Sequence, residues 1–489
     1  MPERDVVSFN TLISTTLRIN RDPSIGFSLY TRLLDEGLRP NSITFASLLS
    51  SSSVLSNVQL LEEMHCHSIK FGLNSNGFVG SAFVNGYERC RGLKDALCAF
   101  EEIAEIDSVS WNIMIDACAR SGCKENAVKV FARMQRECSN RFDCFTLTSV
   151  LKTCVKREDL GLGTQLHSCA LKAGLEYETP VGNSLITMYS RCDGDMKSAV
   201  LVFRRILEPN IISWTAVIGG LAQNGMAEEA ASLYKEMVTQ GEIENEFLFA
   251  SILPVFSALV NLELGKMVHA RIAKSTVSSD VEVSNALIDM YFKCGDSNDA
   301  MLVFDTMSNI DVVSWTVMVS GLGQHGKGRE AVHAFGEMRR LGFKPDDVTF
   351  LAALSACSHC GLVEEGLDMF RSMANEYSVK PRREHFACVV DLLGRSGRLR
   401  EAEMFVKEMR MELDSSVWET LLGACRIHGE VEIGERSAKK VMELEPERDG
   451  PYVQLSNIYA DKNLWEEKGK VRCRLDSSGL RKETARSWF

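Results

Sequence analysis

Val109-Ser110-Trp111-Asn112 decides the fold, because this stretch recurs at a fixed interval along the 489 residues. It returns as Ile212-Ser213-Trp214-Thr215 and as Val313-Ser314-Trp315-Thr316, and a weaker copy, Val7-Ser8-Phe9-Asn10, lies near the start. Counted between the aromatic residues, the steps are 102, 103 and 101 residues. A fixed internal period indicates stacked structural units, and it predicts a function that is spread over a surface rather than concentrated in one cleft.

Each interval divides into three shorter units of 31 to 36 residues when it is aligned on this motif and on the Gly/Pro turns. The predicted repeats fill residues 6–414, with the bounds 6–41, 42–76, 77–107, 108–143, 144–178, 179–210, 211–245, 246–280, 281–311, 312–346, 347–382 and 383–414. Two degenerate units are predicted at 415–448 and 449–481. Residues 1–5 look like the end of a preceding unit and 482–489 like the truncated start of a further segment. We therefore expect the array to begin within a repeat and any targeting peptide to lie upstream.

Each unit has the pattern of two helices joined by a turn. The second helix carries Ala-x-x-x-Phe-x-x-Met, as in Ala127/Phe131/Met134 and Ala300/Phe304/Met307. Residues at i, i+4 and i+7 share one helical face, so this stripe predicts a packing seam. The segments Gly37–Pro40 and Gly342–Pro345 mark helix ends. No stretch shows sustained alternation of period two, and the predicted fold is an all-α solenoid of stacked helix pairs.

Composition predicts neither a membrane-spanning nor a disulfide-stabilised protein. The longest apolar run, 252–260, contains Pro254 and is too short to cross a bilayer. Several of the sixteen cysteines recur at one unit position, which is typical of a small buried side chain in a reducing compartment; the eleventh residue of a unit is cysteine at Cys118, Cys154, Cys357 and Cys425.

Three kinds of unit follow one another. The first carries the Ser-Trp motif, the second carries 151–154 followed by Gly163 and His167, and the third carries 181–189, echoed by 283–291. These units resemble the P, L and S types of the PLS subfamily of plant pentatricopeptide repeat (PPR) proteins. The three types recur in fixed order over essentially the whole chain. The resemblance implies a superhelix of helix-turn-helix PPR repeats that binds single-stranded RNA, with one nucleotide per unit read by two side chains.

In that family the two reading residues are the fifth residue of the first helix and the last residue of the unit. An ionised Asp only accepts hydrogen bonds and suits the ring N–H of U or G, whereas an Asn amide also donates. The resemblance also implies that apolar second residues stack against bases, here Val7, Val109, Ile212 and Val313. The predicted base-reading residues are Asn10, Asn41, Ser81, Asp107, Asn112, Asp143, Thr148, Asn183, Asn210, Thr215, Asn245, Asn285, Asp311, Thr316, Asp346, Ala387 and Asp414.

The implied RNA, from 5′ to 3′, is pyrimidine, any, G, U, any, pyrimidine, A, any, U, G, any, any. L-type units depart from the code, as at Ala46, Thr148/Glu178, Ala250 and Leu351/Arg382, so their bases are expected to go unread or to be held by stacking alone. A single Asn or Asp at a helix start is ordinarily a helix cap. Recurrence at both reading positions favours recognition.

Charge favours a rival prediction. The net charge is −11, and the deficit lies in residues 1–414, because 415–489 contain 13 basic and 13 acidic residues. Phosphate binding normally requires a basic surface. A tetratricopeptide-like scaffold that binds proteins is therefore the less favoured alternative.

The C-terminal region resembles the E-type extension of PLS proteins, through 417–429, 451–460 and 479–483. In that family this extension is associated with C-to-U editing of organellar transcripts. A zinc deaminase needs His-x-Glu and a downstream Pro-Cys-x-x-Cys. His428-Gly429-Glu430 matches the first half, but only Cys473 follows. The isolated Cys357-x-x-Cys360 lies in a predicted helix without a second cysteine pair, so no metal site is expected.

The sequence thus predicts a non-enzymatic, cofactor-free factor that recognises sites in single-stranded RNA, in a mitochondrion or a chloroplast. No DNA or membrane partner is expected. A DYW-type deaminase or other editing factors are expected to bind through residues 415–489. The alternative within the same family is a factor for organellar RNA splicing, stability or processing.

Overall fold

The computed structural model describes residues 5–20, 23–49, 57–104, 106–137, 142–192, 195–275, 277, 279–408 and 415–477. These residues form 28 α-helices and one short 3-10 turn, and none of them lies in a β-strand. The chain divides into two compact parts, 1–243 and 244–489.

The first part contains fourteen helices in its described residues. They are α1 (Val6–Asn20), α2 (Pro23–Asp35), α3 (Ser42–Leu49), α4 (Val58–Lys70), α5 (Gly77–Cys90), α6 (Leu93–Glu101), α7 (Ser108–Arg120), α8 (Lys124–Glu137), α9 (Cys144–Leu151), α10 (Leu160–Ala173), α11 (Thr179–Cys192), α12 (Met196–Arg205), α13 (Ile211–Gln223) and α14 (Ala227–Thr239).

The second part likewise contains fourteen helices where the structure describes it. They are α15 (Glu246–Ala258), α16 (Leu262–Lys274), α17 (Val281–Lys293), α18 (Ser297–Thr306), α19 (Val312–Gln324), α20 (Gly328–Arg340), α21 (Asp347–Cys360), α22 (Val363–Asn375), α23 (Arg383–Arg395), α24 (Leu399–Glu408), α25 (Ser415–His428), α26 (Val431–Leu444), α27 (Gly450–Asp461) and α28 (Trp465–Ser477).

In each part, every odd-numbered helix, here called a first helix, packs against the second helix that follows it and against the next first helix. This arrangement confirms the predicted all-α solenoid of stacked helix pairs. None of the helices in the described ranges combines the length and the apolar character that a bilayer span requires.

The recurring Ser-Trp motif and the Ala-x-x-x-Phe stripe meet in the core. The ring of Phe100 contacts Trp111 edge-on at a centroid distance of 5.1 Å. The same joint recurs between Phe203 and Trp214 at 4.6 Å. Such edge-to-face pairs stabilise a core beyond the area that they bury. The Ser-Trp motif therefore recurs in the sequence because the same contact, between the second helix of one unit and the first helix of the next, recurs in the structure.

A different joint connects L-type units to the S-type units that follow. Gly163 of α10 lies against Met188 of α11, where a Cβ at Gly163 would lie 2.9 Å from Met188 Cε. On the same pair of helices, His167 Nδ1 lies 2.8 Å from the Tyr189 hydroxyl. The glycine permits the close approach of the two helices, and the hydrogen bond fixes their register.

Candidate nucleic-acid interface

The predicted reading residues lie at the starts of the first helices. The fifth residue of one first helix faces the residue that immediately precedes the next first helix, and we call these two residues a reading pair. The second member of most pairs is also an N-cap, because its side chain accepts a hydrogen bond from a backbone N–H of the next helix; examples are Asp107, Asp143, Asn210, Asn245, Asp311 and Asp346. Capping therefore positions the reading side chain and does not exclude a role in recognition.

Asn112 and Asp143 form the most fully connected pair. Asn112 Nδ2 donates to Asp143 Oδ2 at 2.9 Å and to Oδ1 at 3.2 Å. The Thr146 hydroxyl lies 2.5 Å from Asn112 Oδ1 and 2.8 Å from Asp143 Oδ1, so its one proton is shared between these two acceptors. The Asn112 side chain is buried, whereas Asp143 is exposed. Both side chains are thus held before any ligand arrives, and the carboxylate faces solvent.

The charge state of Asp143 follows from its surroundings. Burial raises the pKa of this carboxyl, but hydrogen bonds from the Thr146 backbone, the Thr146 hydroxyl and Asn112 outweigh burial, so the pKa lies below its ordinary value. The same balance lowers the pKa of Asp311. Both groups are therefore ionised at neutral pH and act only as hydrogen-bond acceptors. Such an acceptor matches the ring N–H of U or G.

Two further pairs are joined directly. Asn10 Nδ2 donates to Asn41 Oδ1 at 3.0 Å, and the Thr44 hydroxyl donates to Asn10 Oδ1 at 2.6 Å. Asn285 Nδ2 donates to Asp311 Oδ1 at 3.4 Å. The buried Asn285 Oδ1 has no hydrogen-bond partner among the described residues.

Two pairs are joined through a hydroxyl at the third position of the next first helix. Ser81 Oγ donates to Ser110 Oγ at 2.8 Å, and Ser110 Oγ donates to Asp107 at 2.7 Å. The hydroxyls of Thr316 and Thr349 lie 2.7 Å apart, and Thr349 donates to Asp346 at 2.7 Å. Sequence reasoning missed this bridging residue, although its recurrence as Ser or Thr was visible in the motif.

The remaining predicted residues are not joined in this way. Asn210 caps α13, and the buried Asn183 Oδ1 has no partner in the described part of the chain. The Thr148 hydroxyl donates to the Phe145 carbonyl instead of a reading partner. Thr215 lies in the first compact part, and its hydroxyl donates to the Ile211 carbonyl. Asn245 lies in the second compact part and caps α15. Ala387 lies half-buried on α23, and Asp414 lies outside the described residues.

Apolar side chains stand exposed next to the reading pairs. The second residues Val7, Val109, Ile212 and Val313 are between 55% and 66% exposed, although similar side chains elsewhere form the core. The same position is exposed and apolar in five further units that the sequence reasoning did not include, namely at Ile43, Phe78, Phe145, Phe247 and Val348. All of these except Phe78 belong to L-type units, and in two of those units the residue is aromatic, Phe145 and Phe247, whose rings offer a face for stacking.

A row of cations runs beside the reading pairs. The thirteenth residue lies two helical turns beyond the fifth on the same face, roughly 12 Å along the helix axis. On six described first helices this position is an exposed cation, at Arg18, Arg89, Arg120, Arg191, Lys293 and Arg395, and we call these residues the cationic row. Arg120 donates to Asn85 of the preceding unit at 3.3 Å, so neighbouring units share one continuous surface. The prediction from net charge overlooked this local grouping.

The cysteine motif has a packing role in the structure. Cys357 is buried in α21 with its Sγ 3.9 Å from Met369 Sδ. Burial raises the pKa of the Cys357 thiol to about 12, which keeps it protonated.

Comparison with known proteins matches the repeats and the extension separately. The PPR repeat model matches residues 109–139, 212–242, 282–312, 348–376 and 385–412, the PPR repeat family model matches 310–359, and the E motif model matches 428–489.

Similar chains come from Arabidopsis thaliana. Pentatricopeptide repeat-containing protein At4g33170 is 37% identical over all of this chain, which spans 49% of that protein. At1g11290, chloroplastic, is 35% identical over 99% of this chain and 59% of its own length. The putative protein At3g11460, mitochondrial, is 37% identical over 95% of this chain and 75% of its own length. This chain thus spans between about half and three quarters of these relatives.

Solved structures show the same fold. Maize PPR10 aligns with a TM-score of 0.63 over 97% of this chain and 74% of its own, at 18% identity. PPR10 in complex with an 18-nt psaJ RNA element aligns with a TM-score of 0.60 over 96% of this chain and 84% of its own, at 17% identity. From the repeat models and the 37% identity to At3g11460 over three quarters of that protein, the chain belongs to the pentatricopeptide repeat family, and an E motif follows its repeats.

Proposed function

We propose that this chain binds single-stranded organellar RNA in a sequence-specific manner and selects sites for C-to-U editing, with the deaminase supplied by another protein. The observation that carries the proposal is the regular row of preorganised reading pairs, followed in the chain by an E motif. The RNA complex of PPR10 supports RNA as the ligand, because that repeat protein shares the fold.

Each P- or S-type unit would hold one nucleotide by three kinds of contact. The exposed apolar second residue would cover the base face, the reading pair would bind its edge, and the cationic row would lie toward the phosphates. For the unit that begins at Ser108, the pair offers the exposed carboxylate of Asp143 as an acceptor, and Asn112 holds it in place. The ring N–H of U complements this acceptor. Thr316 is shorter than Asn112 and leaves room for the larger G beside Asp346.

Net negative charge shapes how this surface binds. An acidic protein repels the phosphate backbone at long range, so non-specific RNA binding is weak. Affinity then depends on base contacts and on the few cations that the solenoid aligns. This balance favours a factor that discriminates among transcripts over a general RNA-binding protein.

The extension from residue 415 supports the editing role and a partner protein. The described part of this extension, α25–α28, continues the stack of helix pairs, and we assign it the binding of a DYW-type deaminase or another editing factor. The names of relatives from chloroplast and mitochondrion support an organellar location. A role in splicing, stability or processing is the second candidate, since the same reading surface would serve it.

Transcript sequencing in a plant that lacks the protein tests the proposal. We expect C-to-U conversion to disappear at one or a few organellar sites, each preceded by the predicted nucleotide pattern. Restoring the chain with the 415–489 segment should recover conversion, whereas residues 1–408 alone should bind RNA without recovering it. Normal editing together with a missing spliced or processed transcript would replace the proposal by the second candidate. No transcript change in either organelle would point to a protein-binding scaffold.

A further inference from the structure

A cavity of about 520 Å³ opens between the last first helix before residue 409 and the two first helices after residue 414. It forms where the first helices α23, α25 and α27 pack side by side. Helix α23 contributes Asp391 and Arg395, α25 contributes Gly423 and Arg426, and α27 contributes Gln454 and Asp461. The cavity therefore belongs partly to the last repeat before residue 415 and partly to the extension.

The cavity continues the proposed RNA surface. Arg395 is the last member of the cationic row, and it donates to Asp391 Oδ2 at 2.8 Å. Asp391 also accepts from Ser358 Oγ of the preceding first helix at 2.6 Å. An RNA strand that follows the cationic row in the second part of the chain would reach this cavity next.

The first reading position of the following unit is engaged in an ion pair. The fifth residue of α25 is Glu419, and its partner Arg448 lies just before Asp449, the residue that immediately precedes α27. Arg448 Nη1 lies 2.7 Å from Glu419 Oε1 and 3.0 Å from Glu445 Oε2. Because Arg448 and Glu419 already bind each other, this ion pair is poorly suited to form hydrogen bonds with the edge of a base. A nucleotide at this point of the path needs a different site.

The cavity contains one buried polar atom without a partner. Gln454 Oε1 is buried and accepts no hydrogen bond from the described residues. A buried acceptor without a donor is unfavourable, and a ligand N–H would relieve it. Arg426 and Asp461 line the same cavity as exposed charged side chains. The lining therefore offers an unpaired acceptor, a cation and an anion to a ligand.

We propose that this cavity binds a ribonucleotide immediately 3′ of the stretch that the repeats read, with a base N–H on Gln454 and a phosphate on Arg426. One ribonucleotide supplies all three complementary groups, since its 2′-hydroxyl can donate to Asp461. The proposal rests on the proposed function, because it requires RNA to run along the repeats toward the extension. The site would hold the strand in place near the edited cytidine while a deaminase acts on it.

Gly423 provides a variant that blocks the cavity without disturbing the fold. A Cβ at Gly423 would meet no atom within 4 Å. Leucine also favours a helix more than glycine does, so Gly423→Leu should fold at least as well. The matched control is Gly336→Leu, at an exposed position of α20 that also has no atom within 4 Å and lies outside the cavity. Gln454→Ala removes the unpartnered acceptor and tests the hydrogen bond separately.

The measurement is RNA affinity by fluorescence anisotropy with two RNAs that share the predicted pattern. The short RNA ends at the nucleotide opposite α23, and the long RNA has three more nucleotides at its 3′ end. We expect the full chain and Gly336→Leu to bind the long RNA about tenfold more tightly than the short one. Gly423→Leu and Gln454→Ala should bind both RNAs with the affinity of the full chain for the short RNA.

The outcomes separate this inference from the proposed function. Equal affinity of the unaltered chain for both RNAs would overturn the nucleotide site while leaving the reading surface intact. Failure to bind either RNA would overturn the proposed function, and the site with it. If Gly423→Leu leaves both RNA affinities unchanged but weakens capture of a purified DYW-type deaminase, the cavity binds protein and the proposal is wrong.

Discussion

Under the proposed function, single side chains would carry the base selectivity, and Asn112 is the position at which this is best tested. Asn112→Thr removes the amide that donates to Asp143 and leaves a shorter hydroxyl, as in the Thr316/Asp346 pair. We expect affinity to fall about tenfold for RNA with U at this position and to rise for RNA with G. The measurement compares four RNAs that differ only at that nucleotide.

Asn126→Thr is the matched control for this change, because it makes the same substitution on the second helix of the same unit. It should leave the order of the four RNAs unchanged. If Asn112→Thr also preserves that order, the amide has only a structural role at the helix joint, and base reading at this pair is wrong.

The positions of the reading pairs were largely predictable from the sequence, but the hydrogen bonds between their side chains were not. The positions of Asn112 and Asp143 follow from the resemblance and from the repeat length, since both are counted from helix starts. Which groups bond depends on how two first helices from neighbouring units approach one another. This approach is why Thr146 bridges the first pair, whereas Asn183 and Asn210 form no comparable link. Asp414 lies outside the described residues, so its pairing with Ala387 stays a prediction.

Packing between paired helices contributes to the stability of the protein. Two glycines on α10 allow the effect of helix packing on the free energy of unfolding to be distinguished from the effect of helix propensity. A Cβ at Gly163 would crowd Met188, whereas a Cβ at Gly161 would meet no atom within 4 Å. We expect Gly163→Ala to lower the free energy of unfolding by about 1–2 kcal/mol, because it forces α10 away from α11. Gly161→Ala should leave it unchanged or slightly raised. Denaturant unfolding followed by circular dichroism measures both.

Combining Gly163→Ala with Met188→Ala tests whether the loss of stability comes from the contact between these two residues. Met188→Ala should cost stability by itself, because it removes a buried side chain, but it should also make Gly163→Ala nearly neutral. Additive effects in the double variant would show that the two residues do not share one contact. In that case the L-type glycine would have to be explained by backbone conformation instead.

The helix pairs and their order could be predicted from the periodicity of Ala, Phe and Met, because each repeat must bury the same apolar stripe on its second helix. The exposed second residues of L-type units were missed because they lie outside the Ser-Trp motif that defined the alignment. Phe145 and Phe247 occupy the same helical position as Val109 and Ile212, and only the folded surface shows that all four remain exposed. Stacking without edge recognition is what such units can offer to a base.

At the scale of the whole molecule, the net charge alone is a poor guide to RNA binding. The net charge of −11 predicts repulsion of RNA, and the acidic excess lies in residues 1–414. Repetition nevertheless aligns cations that stand far apart in the sequence, because each occupies the thirteenth position of its unit. Acidic side chains on second helices, such as Glu101 and Glu236, are paired with Arg133 and Arg204. Within the cationic row, Arg120, Lys293 and Arg395 also pair with carboxylates of first helices, so binding of a phosphate there would compete with these ion pairs.

The cationic row therefore predicts a measurable salt dependence. Arg89 and Arg191 are exposed members of the row in the first part of the chain. If each contacts one phosphate, the double variant Arg89→Gln/Arg191→Gln should weaken binding equally for all RNA sequences. It should also reduce the slope of log affinity against log salt by about 1.4, since a single-strand contact contributes about 0.7. Lys197→Gln/Lys235→Gln removes the same charge from exposed positions on second helices and should leave the slope nearly unchanged. Equal slopes for the two double variants would mean that only the overall charge matters, and the row would then have no role as a phosphate track.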